Sequence, residues 1–195
     1  MNTQELIDKG INEKIIKFND DKTRITYCLH NKSKNFKTEE IVQAEAYLKL
    51  IFEYNYPKEN INLFVPVKMG ADNREADIVV YKDAKHHAPL IVVECKKQEV
   101  SNAEYNQSIA QAFSYAVTLG AEYVWATSGA NNSYYQVSSI YPQQRIDISD
   151  IPELNKPVKK YKYFKGNLEI IGQDELTTKF KQAHNALWAG GELDP

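Results

Sequence analysis

The clearest feature of the chain is a series of segments whose apolar positions repeat at helical spacing. Apolar residues recur three to four positions apart from residue 38 until the Tyr56-Pro57 pair, which predicts a helix that the proline ends. The same spacing covers residues 102–119, and Gly120 follows as the expected C-terminal cap. A further apolar stripe over residues 174–189 predicts a third helix near the C terminus.

Other segments have the alternating or continuous apolar pattern of strands. Residues 61–67, 77–81 and 90–96 follow one another with turn-forming or polar stretches between them, which predicts a meander. Residues 121–127 are almost entirely apolar, as in a buried strand, and a long helix separates them from the strand at 90–96. Such a crossover predicts parallel pairing of these two strands. Residues 24–29 alternate as well and predict one strand in an otherwise polar N-terminal segment.

This order of elements predicts an α/β fold in a single domain. We expect a central mixed β-sheet of four or five strands, flanked by the helices at 38–56 and 102–119. The 195 residues suit one domain of ordinary size with an appended helix. We place this domain at residues 1–172, with its core at about 24–128, and a C-terminal helix and junction at 173–195.

Composition and charge narrow the cellular setting and the class of partner. The chain has a formal net charge of −2, which excludes the strong overall positive field of a basic DNA-binding domain. Its two cysteines, Cys28 and Cys95, are too few for a disulfide framework. No apolar run approaches the roughly 20 residues of a membrane span. We therefore expect a cytoplasmic protein without a membrane partner, whose affinity for DNA, if any, comes from local patches or attached modules.

Charged residues at the end of an apolar strand are the main candidates for chemistry. Glu94 and Lys96 alternate with their neighbours and so point to the same face of the strand at 90–96. Asp77 opens the preceding strand and would lie beside them after a hairpin-like return. At about 5 Å and an effective dielectric near 20, repulsion between the two carboxylates is on the order of 3 kcal/mol, so a cation is needed nearby. Mg²⁺ would suit phosphodiester hydrolysis, with Lys96 orienting or deprotonating the water, whereas a surface ion pair is the alternative.

Two helices carry polar residues that their apolar patterns do not explain. Glu45 lies on the apolar face of the first helix, either as a functional acid or as one partner of a salt bridge at the edge of that face. Gln107, Gln111 and Tyr115 are spaced four residues apart on the second helix, and we assign them to the side opposite its apolar face. Amide and phenol groups there could donate to phosphate oxygens, or could form an ordinary solvated face.

The ordered set of these motifs resembles the PD-(D/E)xK nuclease superfamily. The similarity is greatest to the N-terminal nuclease domain of type I restriction endonuclease R (motor) subunits and of fused restriction-modification enzymes. It runs from about Arg24 to Tyr115, and its motifs are Glu-Ala-Tyr-Leu at 45–48, Tyr56-Pro57, Ala-Asp-Ile-Val-Val-Tyr at 76–81, Pro-Leu-Ile-Val-Val-Glu-Cys-Lys at 89–96 and Gln-x-x-x-Tyr at 111–115. Ala76 stands where the superfamily has its nominal proline.

The resemblance implies a role for each candidate residue. Asp77 and Glu94 would ligate Mg²⁺, for which Mn²⁺ would substitute, and Lys96 would be the catalytic lysine. Glu45 would be an accessory acid on the first helix. The residues that position the substrate or the active-site side chains would be Gln111 and Tyr115.

The function implied by the resemblance is a Mg²⁺-dependent endodeoxyribonuclease domain that cleaves double-stranded DNA, with sequence recognition supplied elsewhere. Its partners would be the motor, methyltransferase and specificity domains or subunits of a restriction-modification complex, with ATP required only where a motor domain is present. The segment 184–195 is similar to the junction with a methyltransferase region, so we expect a fragment of a larger enzyme. The alternatives are a catalytically silent DNA-binding or docking domain of the same fold and a freestanding repair or junction-resolving nuclease.

Overall fold

The computed structural model describes residues 1–156. The helix predicted at 174–189 and the domain boundary predicted at residue 172 lie outside these described residues. The elements in chain order are α1 (Thr3–Asn12), β1 (Ile16–Phe18), β2 (Arg24–Tyr27), β3 (Lys32–Asn35), α2 (Thr38–Phe52), a 3₁₀ helix (Lys58–Asn60), β4 (Ile61–Met69), β5 (Asp72–Tyr81), β6 (Pro89–Cys95), α3 (Asn102–Leu119), β7 (Tyr123–Thr127), β8 (Asn132–Val137) and β9 (Arg145–Asp147).

Six of the strands form a mixed central sheet in the order β4-β5-β6-β7-β8-β9. Strands β4, β5 and β6 are successive antiparallel neighbours, as the meander predicts. Strands β6 and β7 pair in parallel, with Ile91 opposite Tyr123, because α3 carries the chain back across the sheet. Strands β8 and β9 extend the sheet beyond the predicted four or five strands. The fold is therefore α/β with a six-stranded mixed sheet flanked by three helices, which confirms the predicted fold class.

The N-terminal segment contains more structure than its sequence pattern predicts. Its strands β1, β2 and β3 form a separate antiparallel sheet, of which β2 corresponds to the strand predicted at 24–29. Helix α1 begins after Asn2, whose side chain accepts a hydrogen bond from the Glu5 amide in a capping box. Gly10 lets α1 lie close to α2, because a Cβ there would be 2.7 Å from a terminal carbon of Leu48. This segment is therefore a part of the same core.

Two core clusters cover the two faces of the central sheet. The first cluster joins α1, α2 and the three-stranded sheet to one face, and the second cluster joins α3 to the other face. Alternation along β6 sends Val93 to the first cluster and Val92 to the second. Strand β6 is thus buried on both sides, so a charged residue near its end lies between two apolar layers.

Both long helices begin where the sequence predicts. Helix α2 spans Thr38–Phe52 and ends before the predicted stop at the Tyr56-Pro57 pair, and the chain then turns through Asn55, which has φ +63°. Helix α3 covers the predicted residues 102–119, and Gly120 caps it with φ +75°, a conformation that favours glycine. Between residues 1 and 156, no helix combines the length and the apolar character needed to cross a membrane.

Candidate active site

Antiparallel pairing of β5 and β6 brings the two predicted acids side by side. Ile78 lies opposite Val93, so the next positions in the same register are Asp77 and Glu94. Asp77 Oδ2 accepts a hydrogen bond of 2.7 Å from the backbone amide of Cys95. The predicted approach of Asp77 to the end of β6 is therefore present in the structure.

Glu94 is almost completely buried and is held from two sides. Its side chain is 3% exposed, against 27% for that of Lys96. Lys96 Nζ donates to Glu94 Oε1 over 3.1 Å, and Gln111 Nε2 of α3 donates to the same oxygen over 3.0 Å. The other oxygen, Oε2, is buried and has no hydrogen-bond partner among the described residues. A buried carboxylate oxygen without a donor is costly, and this cost favours the binding of a cation.

Burial and mutual repulsion change the acidity of both carboxyl groups. Burial raises the pKa of Glu94 to about 8, and the nearby charge of Asp77 adds to this effect. Burial also raises the pKa of Asp77 to about 6, against the opposing effects of the Cys95 amide and the Lys96 charge. Burial lowers the pKa of Lys96, but the Glu94 carboxylate outweighs it, so this pKa lies above its ordinary value. Without a bound cation, Glu94 therefore retains its proton near neutral pH, whereas Asp77 is largely ionised there and Lys96 stays an ammonium.

Helix α2 places Glu39 in the groove of the site, whereas the predicted Glu45 contacts residues of α1 and α2. Glu45 Oε1 pairs with Lys49 Nζ at 2.6 Å, and its Oε2 accepts a hydrogen bond of 2.8 Å from Thr3 Oγ1. Glu39 lines the same groove as Lys96, and its charge raises the pKa of both buried carboxyl groups. Sequence reasoning missed Glu39 because an acid in the first turn is an ordinary feature of a helix start. The accessory role of Glu45 stays a prediction, without a contact to support it.

The polar stripe of α3 divides between the site and the core. Gln111 lies at the site, and its Nε2 also donates to the Tyr115 hydroxyl over 2.8 Å. Tyr115 is 3% exposed and packs with Ala112 and Ala116 in the second core cluster, so its assignment to the side opposite the apolar face is wrong. Tyr115 is three positions after Ala112, and residues at this spacing lie on the same face of a helix. Gln107 is the member of the stripe that lies exposed to solvent.

The sequence has one clear relationship to a known family. The family of the type I restriction enzyme R protein N terminus (HSDR_N) matches residues 38–152, which is more than half of the 195 residues. The chain belongs to this family. No curated protein matches the sequence. The matched range begins with α2 and includes Asp77, Glu94, Lys96 and Gln111, while α1 and the three-stranded sheet precede it.

Membership of the R-protein N-terminal family confirms the predicted resemblance to restriction-enzyme R subunits. The family is that of type I restriction enzymes, and the matched range contains the residues that form the site. The assignment agrees with the α/β fold described above, in which the β5 and β6 strands carry the acids.

This R-protein N-terminal domain has a buried polar contact at the site that sequence reasoning missed. Gln43 of α2 is 4% exposed, and its Nε2 donates to the backbone carbonyl of Asp77 over 3.4 Å. The contact reaches Asp77 from the side of the first core cluster, opposite to α3. A signal was present, because Gln43 is an amide between the apolar residues Val42 and Ala44 of a buried helix.

The donor set of the site suits a hard divalent cation. Within residues 1–156, no group of three or more His, Cys, Asp or Glu side chains is placed to hold a metal ion. Mg²⁺ is commonly held by one or two carboxylates together with several retained waters, and Asp77 and Glu94 can supply the carboxylates. A cation would also offset both the repulsion between the acids and the missing partner of Glu94 Oε2. The residues present therefore fit Mg²⁺.

Proposed function

We propose that this domain is a Mg²⁺-dependent endodeoxyribonuclease of the PD-(D/E)xK type, which hydrolyses DNA phosphodiesters within a type I restriction enzyme. The observation that carries the proposal is the placement of the Asp77 carboxylate against the end of β6, next to the buried Glu94, whose Oε2 has no hydrogen-bond partner among the described residues. Two acids in this state destabilise the fold unless a proton or a cation neutralises them. A purely structural role would be met better by apolar residues at the same positions.

In the proposed reaction the side chains of the site hold the ion and order the reacting groups. Asp77 and Glu94 would hold Mg²⁺. The bound ion would supply an acidified water and would stabilise charge on the phosphate during the displacement. Lys96 Nζ is an ammonium beside Glu94, so it would donate to the water or to a phosphate oxygen instead of removing a proton. Gln111 would fix the Glu94 carboxylate through its 3.0 Å hydrogen bond and is therefore a positioning residue.

The DNA strand would enter along two grooves that share Gln107 and Gln111 of α3. One groove, of about 270 Å³, is lined by Lys96 and Lys97 together with Glu39 and Glu104. The other, of about 420 Å³, is lined by Arg74 of the β4–β5 hairpin and its ion-pair partner Asp72. Amide and basic groups of this kind contact phosphate oxygens without reading the base sequence. The net charge of −2 supports an arrangement in which motor, methyltransferase and specificity parts of a restriction-modification complex supply most of the affinity and all of the sequence recognition.

Plasmid cleavage by the complete restriction enzyme tests this assignment. We expect Asp77→Asn and Lys96→Met to abolish cleavage in Mg²⁺ or Mn²⁺, with the circular dichroism spectrum of the folded protein unchanged. The matched control is Lys82→Met, because Lys82 is an exposed lysine that pairs with Glu122 on the surface. This control should cleave like the parent. Persistent cleavage by Asp77→Asn would refute the proposed function.

A further inference from the structure

The strand pair β4 and β5 is irregular at one point, directly beside the candidate site. Leu63 pairs with Ile78 and Val65 pairs with Ala76, whereas Phe64 and Asp77 between them form no pair. Phe64 has φ +52°, a left-handed conformation that is unfavourable for a residue with a side chain. Such a conformation persists where the surrounding structure holds it, and it is often found at functional sites.

This irregularity, which we call the Phe64 kink, changes the face that each strand presents. Leu63 belongs to the first core cluster and Val65 to the second, although residues two apart share a face in a regular strand. On β5, the residues on either side of Asp77 are divided between the clusters in the same way. The Phe64 ring lies in the first cluster, with its centroid 6.0 Å from that of Tyr27.

The kink keeps a large ring away from the Asp77 carboxylate. In an unbroken antiparallel pair, Phe64 would lie opposite Asp77 with both side chains on one face, about 5 Å apart. Glu94 shares the face of Val92, which belongs to the second cluster, whereas the Phe64 ring packs in the first. The ring and the Glu94 side chain are therefore on opposite faces, and the Asp77 carboxylate accepts its hydrogen bond from the Cys95 amide of the neighbouring strand.

Polar side chains from outside the strand pair stabilise the kink on both strands. Lys32 Nζ of β3 donates to the carbonyl that precedes Phe64, and Lys34 Nζ lies 4.1 Å from the centre of the ring. On the other strand, Gln43 Nε2 donates to the Asp77 carbonyl. The three-stranded sheet and α2 thus both contact the backbone where β4 and β5 change face.

We propose that Phe64 is a positioning residue for Asp77, and that its left-handed backbone, more than its ring, sets the Asp77 carboxylate beside Glu94. The inference rests on the proposed function in one respect, because the positioned carboxylate serves a metal-dependent reaction. It also gives the N-terminal sheet a task, since β3 supplies Lys32 to the kink.

Two substitutions separate the backbone of Phe64 from its ring. Phe64→Gly permits positive φ at no steric cost but removes the ring, whereas Phe64→Ile keeps an apolar side chain that disfavours positive φ. By calorimetry we expect Mn²⁺ affinity to stay within a few-fold of the parent for the glycine variant and to fall by about tenfold or more for the isoleucine variant. Lys32→Met, at a half-exposed edge position, should weaken Mn²⁺ binding in the same direction. Phe36→Ile replaces a half-buried aromatic ring elsewhere and should leave the affinity unchanged.

A second readout needs no metal. The Cys95 amide proton donates to Asp77 Oδ2, so its NMR chemical shift reports the place of the carboxylate. We expect the parental shift in Phe64→Gly and an altered shift in Phe64→Ile and Lys32→Met. A parent chain that binds no Mn²⁺ would contradict the proposed function alone, and the shift comparison would still decide the role of Phe64.

The inference is overturned by either of two results. In the first, Phe64→Gly loses the parental shift and affinity while Phe64→Ile keeps them, which would assign the effect to the ring. In the second, all Phe64 variants match the parent in both measurements, which would make Phe64 a packing residue. If Phe64→Ile fails to fold, the test rests on Phe64→Gly and Lys32→Met. The inference is then overturned if both variants keep the parental chemical shift and Mn²⁺ affinity. It is also overturned if Phe64→Gly loses them.

Discussion

Replacing Glu94 by glutamine tests whether the site contains a buried acid that the fold tolerates poorly. The change keeps the size of the side chain and removes its charge. Burial raises the pKa of Glu94 to about 8 from an ordinary value of 4.5. Between these two values the folded protein binds a proton that the unfolded chain has released. The stability that this proton contributes is therefore complete below about pH 4.5 and is lost as the pH rises to about 8.

The magnitude follows from the size of the pKa shift. One unit corresponds to about 1.4 kcal/mol, so a shift from 4.5 to about 8 amounts to roughly 5 kcal/mol. The free energy of unfolding of Glu94→Gln, relative to the parent, should increase by up to about 1.4 kcal/mol per pH unit across this window. Lys96 loses its ionic partner in the variant, which offsets part of the gain.

Urea unfolding in the presence of EDTA, at several pH values from about 5 to 8, measures this difference. Glu122→Gln is the matched control, because Glu122 is a surface acid and its removal should change stability by less than about 0.5 kcal/mol at every pH. Mg²⁺ should raise the stability of the parent at the upper end of the range and have little effect on Glu94→Gln. Parallel pH profiles for the parent and Glu94→Gln would refute the reasoning.

Three further comparisons test other parts of the site and the fold. Glu39→Gln should lower cleavage by about tenfold or more, and by more than Glu45→Gln, which should cost about 0.5 to 1 kcal/mol in urea unfolding; equal effects on cleavage would contradict the placement of Glu39. Gln111→Leu should impair cleavage while calorimetric Mn²⁺ binding is largely retained, and unchanged turnover would show that this amide belongs to an ordinary helix face. Tyr54→Phe should lower the free energy of unfolding by about 1 kcal/mol because the hydroxyl donates to Asp150 over 2.6 Å, and an unchanged urea midpoint would contradict this estimate.

The elements that could be predicted from the sequence are those with a continuous buried face. Strand β6 is buried on both sides, so its apolar run was visible, and α3 combines an apolar stripe with Gly120 as its cap. The parallel pairing of β6 and β7 followed from the long helix between them. In each case the pattern along the chain reflects the packing directly.

The missed elements have no such pattern. Five of the six residues of β8 are half-buried and the sixth is exposed, so its two faces hardly differ in burial. Strand β1 has three residues, and the inward positions of β3 are Lys32 and Lys34, whose stems and ammonium groups lie against Phe64. A strand whose inward positions are lysines has no alternation of apolar and polar residues, so its sequence does not indicate a buried face.

The site was predictable where strand alternation fixes the direction of a side chain, as for Glu94 and Lys96. It was not predictable where the partner comes from an unexpected element. Glu45 does lie on an inward helix face, but Thr3 of α1 binds it there, and α1 was not predicted although its apolar face and its Asn2 capping box are signals of a helix. The left-handed backbone of Phe64 likewise depends on tertiary contacts, since nothing in the residue type favours it.

The most direct test of the central claim is a crystal structure of this chain grown with Mn²⁺, in which anomalous scattering locates the ion. We expect one Mn²⁺ between β5 and β6, with a carboxylate oxygen of Asp77 and Oε2 of Glu94 as ligands at about 2.1 Å. The absence of an ion there, at a Mn²⁺ concentration that supports cleavage by the complete enzyme, would show that Asp77 and Glu94 do not form the metal site.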